Sequence, residues 1–132
     1  MTFLRLVGGD TPYEGSVQVF HRCLWSSIRS SDSDWGMEEA NVVCRQLGYS
    51  SAFSAWADSP LGPPIGPPVL TDVVCDGDES RIDQCRHELH PNLNRYYWGY
   101  TYQSVGVTCT TPPSLSGKFT IHSSVMTCSV HQ

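Results

Sequence analysis

Six cysteines stand at Cys23, Cys44, Cys75, Cys85, Cys109 and Cys128 of a 132-residue chain. No two of them are separated by only two residues, so the C-x-x-C spacing of zinc knuckles and thioredoxin-type redox sites is missing. An even count at wide spacing, with Lys118 the only lysine, reads as disulfides in an oxidising compartment. The chain is therefore expected to work outside the cytosol. Many pairings are open to six cysteines, and spacing alone does not choose among them. A chain of this length predicts a single domain with a modest core, to which covalent bridges add.

Charge excludes several function classes. The formal net charge is −5, and only 16% of residues are charged, against roughly 25% in an ordinary soluble protein. A nucleic-acid-binding domain carries a basic surplus, which this chain lacks, so nucleic acid is not an expected partner. No apolar run is long enough for a spanning helix, so membrane insertion by this chain is not expected. Residues 1–9 (MTFLRLVGG) do not form a charged segment followed by an apolar one. The expectation is a domain excised from a longer protein, or one whose secretory signal was removed.

Periodicity places the elements. Residues 4–7 (LRLV), 16–20 (SVQVF), 24–28 (LWSSI), 69–74 (VLTDVV) and 105–110 (VGVTCT) read as strands. Residues 30–34 form a polar loop. Met37, Ala40, Cys44 and Leu47 fall on one face of a 3.6-residue period, which predicts a helix over 37–47. Asp34 is placed to cap its start, Glu38 and Glu39 suit its positive end, and Gly48 marks its stop. Residues 58–68 (DSPLGPPIGPP) hold five prolines in eleven positions and read as an irregular loop. Residues 75–80 (CDGDES) form an acidic turn, and 81–85 a short helical turn. A Ser/Thr-rich extension or linker, 111–132, follows the domain at 1–110.

Several segments together resemble the scavenger receptor cysteine-rich (SRCR) family. They are residues 4–9 (LRLVGG), 14–19 (EGSVQV), Trp25, 40–48 (ANVVCRQLG), Gly66 and Pro67, 70–75 (LTDVVC), 78–80 (DES), 83–85 (DQC) and 106–109 (GVTC). The similarity covers about residues 4–110, with the blocks in order. It implies an α+β fold in which a curved, mostly antiparallel sheet cradles one α-helix. It also implies the bonds Cys44–Cys109 and Cys75–Cys85.

The chain departs from the family pattern in three places. One usual disulfide is missing, its positions holding Arg29 or Ser31 and, approximately, Gly99. The optional pair of eight-cysteine members is replaced by Tyr13 and Tyr49. Cys23 and Cys128 have no family counterpart; they are expected to bond each other and tie back the tail, the alternative being bonds to a neighbouring subunit.

The resemblance also implies candidate sites. Relatives often bind Ca²⁺, and here Asp32, Asp34 and the Gln103 carbonyl would contribute to such a site. Calcium takes six to eight oxygens, several of them charged. The alternative is that Asp34 caps the helix and Asp32 is solvated. A second acidic cluster, Asp72, Asp76, Asp78 and Glu79, is another cation candidate or an ordinary solvated turn. His87 and His90 lack the H-E-x-x-H spacing of a zinc site. The arginines Arg5, Arg22, Arg29, Arg45, Arg81, Arg86 and Arg95 either converge on an anion-binding patch or pair with local acids. Tyr96, Tyr97, Trp98, Tyr100 and Tyr102 make an aromatic loop suited to partner contact, or fill the space of the missing disulfide.

No G-x-S-x-G, free nucleophilic cysteine or glycine-rich phosphate loop supports catalysis. No cofactor is required by these residues; Ca²⁺ is the one candidate. The expected function is a non-enzymatic extracellular module binding a protein or polyanionic ligand, with cation assistance. The alternatives are a structural subunit of an extracellular assembly, or an ancillary domain of a larger secreted protease or oxidase.

Overall fold

The computed structural model describes residues 3–21, 23–30, 34–58, 70–89 and 104–111. Alternation in the first two strands, β1 (Phe3–Gly8) and β2 (Glu14–His21), sets the core face. They pair antiparallel with Leu4 opposite Val19 and Leu6 opposite Val17. Leu4, Val17 and Val19 are buried. A tight turn leads to β3 (Leu24–Arg29), antiparallel to β2, with Phe20 opposite Trp25.

Helix α1 (Met37–Gln46) follows, then β4 (Ala52–Trp56), β5 (Leu70–Val74), a 3₁₀ turn (Ile82–Gln84), β6 (Arg86–Leu89) and β7 (Gly106–Cys109). The open sheet runs β4-β7-β2-β3-β5-β6, with β1 on the other edge of β2. Among the described residues all pairings are antiparallel except β3 with β5, where Ile28 faces Leu70 and Arg29 faces Thr71.

The sheet forks at Val105. β2 gives the early part of one edge to β7 and the later part to β3. At the divide the Val17 N–H donates to the Val105 carbonyl at 2.9 Å, and the Val105 N–H donates to the Ile28 carbonyl at 3.0 Å. Val17, Ile28, Val105 and Val107 are fully buried there, so the branch point is filled by close-packed branched side chains.

Helix α1 buries Glu39, Ala40, Val42, Val43 and Cys44 and packs on β4 and β7. The apolar stripe differs from expectation at its first position: Met37 is 42% exposed, because the docked face is centred on Val43. Asp34 is not the cap. The indole of Trp35 is buried and its Nε1–H donates to the Gly106 carbonyl at 3.2 Å, which delays the helix until Gly36 occupies the cap position. The Gly36 N–H donates to Glu39 Oε1 at 2.8 Å instead. The helix closes as expected at Gly48, whose φ of 101° lets its N–H reach the Arg45 carbonyl while the Tyr49 N–H reaches that of Cys44.

Strands β4 and β6 were not anticipated from the sequence. The strand expected over 69–74 begins at Leu70, and the expected helical turn over 81–85 is the 3₁₀ segment. Residues 59–69 of the proline-rich loop and residues 112–132 of the C-terminal extension lie outside the described residues.

Candidate functional site

Two disulfides fix the frame. Cys44 of α1 bonds Cys109 of β7, and Cys75 bonds Cys85 across the acidic turn with the Cα atoms 4.7 Å apart. Cys23, in the β2–β3 turn with φ 67°, is also disulfide-bonded. Cys128 lies outside the described residues.

The Cys75–Cys85 turn is docked on α1 by polar bonds from one helix face. Glu39 is buried and its Oε2 accepts the Cys75 N–H at 2.8 Å. Six residues on, the Arg45 Nη2 donates to the carbonyls of Gly77 and Glu79, both at 2.7 Å. Gln46 Oε1 accepts the Ile82 N–H at 2.7 Å. Gly77 takes φ 110°, and a Cβ there would lie 3.5 Å from the Glu38 side chain, so the turn sits against the first helical turn.

Within the turn, the Glu79 carboxylate accepts the N–H groups of Asp76 and Gly77, both at 2.9 Å. These amides, and the Arg45 charge, hold the Glu79 carboxyl below the usual glutamate range. Carboxylate oxygens of Asp76, Asp78 and Glu79 lie within 4.8 Å of one another, on an exposed edge. Cys75 and Cys85 lie beside Glu79, but their sulfurs are bonded together and supply no thiolate ligand.

The sequence-expected sites divide accordingly. Asp76, Asp78 and Glu79 are brought together, whereas Asp72 is outside that group. It stands earlier, on β5, exposed and left-handed at φ 56°, where the pairing with β6 is irregular. Asp34 is half-buried; its suggested companions Asp32 and Gln103 lie outside the described residues. So do Tyr96, Tyr97, Trp98, Tyr100 and Tyr102, together with His90, Arg22 and Arg95.

His87 donates from Nδ1 to the Cys85 carbonyl at 2.8 Å, a structural role beside the disulfide. Three of the arginines serve separate partners. Arg5 donates to Gln18 Oε1 at 2.8 Å and stacks 4.2 Å over the Trp25 ring. Arg45 holds the turn, and Arg81 pairs with Asp83 at 3.0 Å. The mount formed by Glu39, Arg45 and Gln46 was not foreseen. The one signal available was Glu39, three residues after the glycine that starts the helix.

Comparison with known proteins agrees with this architecture. Residues 7–110 match the family described as scavenger receptor cysteine-rich domain. The chain is 40% identical over 114 residues to a scavenger receptor cysteine-rich domain superfamily protein of Patiria pectinifera, covering 86% of this chain and 10% of that protein. It is 40% identical over 113 residues to the CD5 antigen-like protein of Mus musculus, covering 81% of this chain and 29% of that one. The chain thus spans less than a third of the length of these curated relatives.

Among solved structures, the third SRCR domain of murine neurotrypsin superposes with a TM-score of 0.67 at 31% identity, covering 85% of this chain and 99% of that one. The dimeric form of the mouse MARCO SRCR domain gives 0.57 at 30%, covering 80% and 93%. With its helix bonded to the last strand, its turn closed by a second disulfide, and these similarities in sequence and fold, the chain belongs to the scavenger receptor cysteine-rich family.

Proposed function

We propose that this domain is a non-enzymatic extracellular recognition module that engages positive charge on its ligand through the acidic turn at residues 76–79. The observation that carries this reading is the convergence of three carboxylates on a mounted, exposed edge. Glu79 spends both oxygens on backbone amides, so Asp76 and Asp78 are the groups left to meet a ligand. A net charge of −5 favours the approach of a cationic partner. An extracellular setting is supported by bonded cysteines. No helix among the described residues is long and apolar enough to cross a membrane.

The positive charge has two sources: basic side chains of a protein ligand, or a divalent cation that bridges to a polyanion. Binding of a hexalysine peptide to the whole chain, and of Ca²⁺ alone by calorimetry, separates them. The expected result is hexalysine binding that weakens with added salt and falls about tenfold in Asp76→Asn/Asp78→Asn. Heat from Ca²⁺ alone that is lost in the same variant identifies the bridging mode. Equal hexalysine and Ca²⁺ binding by the variant and the unaltered chain, or none by either, overturns the reading.

A further inference from the structure

We propose that Arg45, rather than the Cys75–Cys85 bond, is the positioning residue that fixes the carboxylate arrangement of the acidic turn. The inference rests on the recognition role assigned to that turn, and it concerns a different residue on a different element.

The disulfide joins the ends of the turn, with Cα atoms 4.7 Å apart. Nine residues, 76–84, lie between those ends. Joining ends limits where such a segment can go but does not choose the orientation of each peptide group inside it. That choice is made by Arg45. A single guanidinium nitrogen donates to the carbonyls of Gly77 and Glu79, both at 2.7 Å. The carbonyls are two residues apart, so both must face the helix at once.

With these carbonyls held, the amides of Asp76 and Gly77 are free to converge on the Glu79 carboxylate, which accepts both at 2.9 Å. Rotation of the Gly77 carbonyl away from Arg45 would disturb this cradle and re-aim Asp78. Asp76, Asp78 and Glu79 would then lose their mutual approach. The guanidinium itself is seated on α1, which the Cys44–Cys109 bond ties to the sheet. Its planar fork keeps two donors in fixed directions, which a lysine ammonium on a flexible stem does not.

The charge of Arg45 adds a second, separable signature. It favours the ionised form of Glu79, behind the larger contribution of the Asp76 amide. Because the Glu79 carboxyl is held low, the closed turn is fully formed above the ordinary glutamate range. It loosens as pH falls through the depressed value.

The test uses the whole chain as three variants: Arg45→Met, Arg45→Lys, and the double change Cys75→Ser/Cys85→Ser. Hydrogen exchange at the Asp76 and Gly77 amides reports the cradle, carboxyl NMR reports Glu79, and exchange at Val17 and Val107 reports the intact sheet. In Arg45→Met the turn amides are expected to exchange at least tenfold faster and the Glu79 titration to move up, with the sheet amides unchanged. Arg45→Lys is expected to restore the titration but not the protection, since it returns the charge without the fork.

The double serine variant is expected to keep the Asp76 and Gly77 protection. If it loses that protection while Arg45→Met keeps it, the disulfide is the positioning element and the proposal is overturned. If Arg45→Met leaves both amides and the Glu79 titration unchanged, it is overturned as well. These readouts need no ligand, so hexalysine failing to bind the unaltered chain rejects the recognition role alone.

Discussion

One carboxylate at Glu39 serves two elements. Its Oε1 accepts the Gly36 N–H that opens the helix, and its Oε2 accepts the Cys75 N–H that opens the turn, both at 2.8 Å. The side chain is 3% exposed, so neither amide finds water readily once it is gone. Glu39→Ala is expected to cost about 3 kcal/mol, the sum of two amides left unsatisfied. Glu39→Gln keeps one oxygen and is expected to cost about half as much. Urea unfolding monitored by tryptophan fluorescence measures both, and a loss below about 0.5 kcal/mol in Glu39→Ala would contradict this account. Tyr13 and Tyr49 flank Cys44–Cys109 through their backbones. The Tyr13 carbonyl accepts the Cys109 N–H at 2.8 Å, and the Tyr49 N–H donates to the Cys44 carbonyl at 2.9 Å. Burial pushes the Tyr49 phenol up, and the neighbouring Tyr13 adds to the effect. Both rings pack against the core.

At the scale of elements, legibility followed periodicity. Strand β2 alternates in sequence, β1 and β3 are short apolar-rich runs bounded by turn or polar residues, and the helix carries both its apolar face and its glycine stop, so each was readable from local sequence. Strand β4 was not, because its alternation is broken by a bulge that leaves Phe53 74% exposed between paired Ala52 and Ser54. Strand β6 (RHEL) is a sheet edge with only His87 half-buried, so it presents the charged and exposed residues that edges carry. The acidic turn was legible because its carboxylates are close in sequence. Its mount was not, since Arg45 and Gly77 are 32 residues apart and meet only once α1 is docked. The helix stop gives a direct check. Gly48 holds a φ of 101°, which an alanine Cβ opposes, so Gly48→Ala is expected to lower stability by about 1–2 kcal/mol. Gly48→Asn is expected to cost less, because asparagine tolerates the left-handed region. Thermal unfolding of the two variants side by side reads the difference, and equal melting temperatures for Gly48→Ala and the unaltered chain would refute the assignment.

For the whole molecule, the two described disulfides do different work. Cys44–Cys109 spans 65 residues and joins the helix to β7 of the sheet, whereas Cys75–Cys85 spans 10 within one turn. On a chain-entropy argument the long closure is worth roughly 4 kcal/mol and the short one roughly 2–3 kcal/mol. Cys44→Ala/Cys109→Ala is therefore expected to destabilise the fold more than Cys75→Ala/Cys85→Ala in denaturant, and the reverse order would show that local strain outweighs loop length. The third bond extends the same reasoning to the chain's end. Cys23 is bonded, and Cys44, Cys75, Cys85 and Cys109 are bonded among themselves, which makes Cys128 the expected partner. Such a bond would close 105 residues, the longest loop of the three, so its removal should lower stability at least as much as loss of Cys44–Cys109. Non-reducing peptide mass spectrometry of monomeric material is expected to recover Cys23 and Cys128 in one linked peptide. A disulfide-linked dimer joined through Cys23 would instead assign that cysteine to assembly with a second chain, and the tail would then contribute nothing to the stability of the folded domain.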